Sequence, residues 1–71
     1  MLFGKFNRSV VINDEHMVDA VRALNELGIS EFEFAELGLG KSGLWCVMFH
    51  SKKKAFAKFL TKVRVEHISC R

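Results

Sequence analysis

Residues 31–50 read EFEFAELGLGKSGLWCVMFH, and the fold turns on how this stretch is paired. Phe32 and Phe34 alternate with Glu31 and Glu33, the period of two that marks a strand with one buried face. Gly38, Gly40 and Gly43 then surround Lys41 and Ser42, which predicts a turn with permissive backbone on both sides. Leu44 to Phe49 is apolar at every position, so this second strand is expected to be covered on both faces. A turn at about residues 39–42 sets Phe34 opposite Val47, Phe32 opposite Phe49 and Glu36 opposite Trp45. That register gathers Phe32, Phe34, Trp45, Val47 and Phe49 on one side, a surface for helices. Ala35, Leu37, Leu44, Cys46 and Met48 fall on the other side. A slip of one residue would mix Glu33 with Phe49, which disfavours the alternative.

Upstream, Phe6 to Ile12 predicts a first strand, with Val10, Val11 and Ile12 β-branched and their facing unassigned. Asn13 is placed to cap a helix, with Asp14 and Glu15 where the helix dipole favours negative charge. Met17, Ala20, Val21, Leu24 and Leu27 form its apolar stripe. Gly28 stops it, with Ile29 folding back on Leu24 in a Schellman motif. Downstream, Ser51 is the expected cap of a second helix from Lys52 to about Lys62, buried through Ala55, Phe56, Phe59, Leu60 and Val63. Arg64 to Cys70 closes the chain as a strand. The expected fold is therefore α+β: a single ferredoxin-like βαββαβ domain over residues 1–71, one antiparallel sheet with two helices on one face.

At 71 residues, such a domain draws no more than roughly 3–5 kcal/mol from its core, and oligomerisation is a common remedy. The 11 basic and 8 acidic side chains leave a formal charge of +3, which matters only if the lysines cluster. Cys46 and Cys70 do not make a disulfide framework. Residues 1–6 lack the apolar core of a signal peptide, and no run approaches the length of a membrane span. The expectation is a reduced, soluble, cytoplasmic protein that makes no membrane contact.

Ala35 to Ser42, AELGLGKS, fits a loose phosphate-binding loop. In a true loop the lysine and backbone amides open a helix, whereas GLWCVMF follows here and reads as a strand. The expected reading is a hairpin turn with a solvated Lys41. The stretch ALNELGISEFEFAELGLGKSG also resembles PII-type signalling proteins, in which a helix ends at Gly-Val/Ile and a strand runs into Glu-Val-x-Gly-x-Gly. Leu27, Gly28, Ile29, Ser30, Glu36, Leu37, Gly38 and Gly40 match, and Lys41 stands where that family carries arginine. The likeness covers about 20 residues; the family's long loop and the glutamine and histidine after its arginine are absent. The resemblance implies a ferredoxin-like trimer with ligand clefts between subunits.

Cys46 and His50 share a face but lie roughly 13 Å apart along an extended strand, too far for one ion. His67 and Cys70 point to opposite faces, and His16 stands alone on a helix. No metal, cofactor or catalytic residue is therefore expected, and Glu31, Glu33 and Glu36 read as solvent-facing or edge charge rather than a general acid/base pair.

Two surfaces remain. Lys52, Lys53 and Lys54 occupy the first turn of the second helix, where cations work against the dipole and anions are attracted. Lys58 and Lys62 continue them from Lys54 in steps of four, and Lys41 is a further candidate member. The open sheet side offers Leu37, Leu44, Cys46 and Met48, aliphatic or sulfur-bearing rather than aromatic. RNA-binding domains of this architecture stack bases on rings at that position. The expected role is a non-enzymatic protein-interaction module, a regulator or inhibitor of a larger assembly, that binds another protein or itself as a homo-oligomer. Nucleic-acid binding along Lys52 to Lys62 and PII-like ligand sensing are the alternatives. A terminal segment lying over the open face would remove that surface.

Overall fold

Leu44–Phe49 forms β3, an inner strand hydrogen-bonded on one side to β1, Arg8–Asn13, and on the other to β2, Phe32–Glu36. A short β4, His67–Ser69, pairs with the far side of β1, so the order across the sheet is β2-β3-β1-β4 and every neighbouring pair is antiparallel. This is a computed structural model, and it describes residues 6–38 and 43–69. The hairpin holds the register that the alternation requires: Phe32 opposite Phe49, Phe34 opposite Val47 and Glu36 opposite Trp45. The turn itself, residues 39–42, and with it Lys41, lies outside the described residues.

Two α-helices complete an α+β architecture: α1, Met17–Glu26, and α2, Lys53–Lys62. Val10 and Ile12 of β1, Val47 and Phe49 of β3, Ala20, Ala23 and Leu24 of α1, and Phe59 of α2 belong to one buried cluster. Residues of both helices thus meet the same face of the sheet. Its centre is aromatic: the Phe49 ring lies 4.8 Å from Phe59 and 5.9 Å from Phe56, within the range of favourable tilted pairs.

The element boundaries differ from expectation where side chains or the ladder claim the backbone. Asn13 ends β1 and has extended dihedrals, but its side chain makes no capping bond. Asp14 N–H instead donates to Gly43 O at 2.7 Å, continuing the ladder past Asn13, and residues Asp14–His16 make a tight 3-10 turn before α1. At the other end of α1 the Schellman motif is present: Ile29 N–H donates to Leu24 O and Gly28 N–H to Asn25 O, with Gly28 at φ +73°.

Ser51 is not the cap of α2. Lys52 occupies that position, with no side-chain capping bond, and the helix proper begins at Lys53. Buried Ser51 is clamped by Asn7, whose amide accepts from Ser51 N–H and donates to Ser51 O, each at 3.0 Å. β1 begins just after this clamp, at Arg8 rather than at the expected Phe6. The last strand is shorter than the expected Arg64 to Cys70; the pairing begins where Glu66 N–H donates to Val11 O at 2.8 Å.

Candidate functional site

Cross-strand partners share a face, so the open side of the sheet can be read from the register. Val11 stands between Cys46 and His67, with Ala35 beyond Cys46; Ser9 stands beside Met48, with Glu33 beyond it. Leu44, opposite Asn13, closes the row on β3. Ser9, Val11, Leu44 and Cys46 are half-buried, while Glu33, Ala35 and His67 are exposed. Leu37, just past β2, is half-buried and donates its N–H to Leu44 O at 2.9 Å. Ser9 Oγ and Cys46 Sγ are 3.3 Å apart, a hydrogen bond across the middle of the face.

Met48 corrects the sequence reading. It keeps only 9% of its exposure, so it is a buried floor rather than an accessible contact. Val11, Ser9 and His67 are the surface residues that sequence reasoning missed, because the facing of the first and last strands could not be assigned from β-branched runs alone. Residues 1–5 and 70–71, the termini considered above as a cover for this face, lie outside the described residues.

No ring of β2 or β3 belongs to this surface. Phe32 and Phe34, stacked at 5.4 Å, pack against the core, and Phe49 is fully buried. Trp45 shares its row with Ile12 on the helix side, half-buried, and donates Nε1–H to Asp14 Oδ1 at 3.3 Å. The loss of stacking groups follows from the register: one face of the hairpin takes all four rings.

The second surface is the outer side of α2. Lys52, Lys53, Lys54, Lys58 and Lys62 are all exposed, and no acidic residue occupies the first turn. Lys62 is already engaged: its Nζ lies 3.1 Å from Glu26 Oε1 of α1, tying the two helices together. The free cationic groups are thus concentrated toward the start of the helix. An open hollow of about 360 Å³ adjoins that end, with Lys52, His50 and Ser30 on its wall, and Glu31 beside them. Arg8 belongs to the packing instead, its guanidinium 4.7 Å from the Phe56 ring centroid.

His16 is not alone, as the sequence suggested. Glu15 approaches its Nε2 at 3.4 Å and Asp19 its Nδ1 at 3.9 Å. The two carboxylates engage opposite ring nitrogens and do not converge, and among the described residues no three metal-ligating side chains do. No described helix is long and apolar enough to cross a membrane.

The fold separates the two surfaces. The helices cover one face of the sheet, and Val11, Leu44 and Cys46, with Ser9, Glu33 and His67 around them, lie on the other, in a molecule measuring 32 × 28 × 19 Å. One flat partner cannot touch both. No family model, curated protein or solved structure matches the chain.

Proposed function

We propose that this chain is a small ferredoxin-like protein-interaction module, non-enzymatic, with two opposed contact surfaces. The aliphatic sheet face docks a partner protein, and the start of α2 attracts an acidic surface. The observation that carries this reading is that no ring of β2 or β3 lies on the open face, where Val11, Leu44 and Cys46 are half-buried and Met48 is buried beside Cys46. Aliphatic and sulfur-bearing groups suit an apolar protein contact, whereas single-stranded bases need planar groups to stack on. Because the surfaces face opposite ways, the module is suited to bridging two partners, as a regulator or inhibitor built into an assembly would.

The test is capture from a native lysate with three proteins side by side: wild type, Val11→Lys/Leu44→Asp, and Lys53→Glu/Lys54→Glu/Lys58→Glu. The first variant should lose one set of partners and the second another. If the face variant captures what the wild type does, the sheet is not the contact and the reading fails. Retention of RNA or DNA by wild type alone, abolished by salt, would replace it with the nucleic-acid reading. Heat on titrating adenine nucleotides would instead favour the PII-like sensor.

A further inference from the structure

The two edges of the sheet match each other. At one edge, β2 presents exposed Glu33 and Glu36, preceded by Glu31, with half-buried Phe32 and Phe34 on the helix side. At the other edge, β4 presents exposed His67, and Arg64 lies exposed just before it; Glu66 is the one acidic group there among the described residues. Ile68 is 44% exposed on the helix side, opposite Val10, and an open hollow of about 510 Å³ beside it is floored by Leu60, Val63 and Val65. One edge is acidic with aromatic knobs. The other carries one cation, Arg64, a hydrogen-bonding imidazole, His67, and an apolar recess, with Glu66 between them.

We infer that the β2 edge of one copy pairs with the β4 edge of a second copy, extending the antiparallel sheet from molecule to molecule. The strand directions allow it. β2 and β4 run opposite ways within the sheet, so a copy set alongside in the same orientation brings β4 antiparallel to β2. The backbone of β2 is available too, and on β4 the outward position is Ile68, with Glu66 N–H already donating to Val11 O. Leu37 bonds to Leu44, and antiparallel alternation then turns the N–H and C=O of Phe32, Phe34 and Glu36 outward.

Side-chain parity selects the register. With Phe32 opposite Ile68 of the second copy, both lie on the helix side and the Phe32 ring reaches the recess. Glu33 then meets His67 on the open side, where a ring N–H can donate to the carboxylate. Glu36 is brought toward Arg64. Acidic side chains on an exposed edge normally block pairing with like edges. Here they reject a second β2 and accept β4. The contact is head-to-tail, so it generates open chains or rings rather than a two-fold dimer.

This interface uses the edges, whereas the proposed partner contact uses the sheet face, and sedimentation of four proteins separates them. The average mass of wild type should rise with concentration. Glu33→Lys and His67→Glu should each hold the chain at monomer mass, and an equimolar mixture of the two should restore association, since each supplies the charge the other lacks. Val11→Lys/Leu44→Asp should associate as wild type does even if it loses its lysate partners. A wild type at the mass of one chain at all concentrations, single variants that associate unchanged, or a mixture that fails to recover would each overturn the inference.

Discussion

Phe59 is fully buried and in ring contact with Phe49 at the junction of α2 and the sheet. Truncating such a ring costs about 3–5 kcal/mol. A domain of this size holds no more than roughly 3–5 kcal/mol in its core. The two magnitudes are equal, so Phe59→Ala should be largely unfolded at 25 °C, which circular dichroism with urea titration will show. Gly28 poses the opposite problem. A Cβ there would meet nothing within 4 Å, yet φ is +73°. Gly28→Ala should therefore lose about 1–2 kcal/mol from left-handed strain alone. Gly28→Asn should lose less, because asparagine tolerates that region. Equal losses would mean that steric room, not backbone conformation, governs the site.

α2 carries its charges at the wrong end for its own stability. Lys53 and Lys54 stand in its first turn, and no side chain caps it. Lys53→Glu should raise stability by about 0.3–1 kcal/mol through the dipole, read as a higher urea midpoint, while weakening any acidic partner held there. A lower midpoint would show that Lys53 has a structural role not visible in its exposure. The start of the helix is held from outside, through the two hydrogen bonds of Asn7 to Ser51. Asn7→Ala leaves buried Ser51 backbone groups unpaired, at a cost of about 1–3 kcal/mol. Amide exchange should quicken first at residues 51–56, since the clamp is local to the β3–α2 connection. Uniform acceleration across the sheet would contradict that.

At the scale of the molecule, a sheet with both helices on one side leaves its other face and its two edges uncovered by helices. The hairpin and both helices were legible from sequence because alternation and three-to-four spacing are local consequences of burial. The Phe32–Phe49 register could be read because slipping it would have put a glutamate beside a core ring. The helix stop at Gly28 was legible for the same local reason. Other features needed partners distant in sequence. Asn7 reaching Ser51, Trp45 reaching Asp14 and Met48 buried on the nominally open face join residues 44, 31 and, across the β1–β3 pair, tens of positions apart. No periodicity records such contacts. The chain alone determined which residues seek the interior and how its segments fold locally, since those follow from side-chain chemistry repeated along the backbone. Tertiary structure alone decided that the lysines and the open sheet face point away from each other and that the glutamates of β2 and the Arg64 and His67 side chains beside β4 stand at opposite edges of one sheet, because these are relations between strands and helices that only the assembled sheet brings into a common frame.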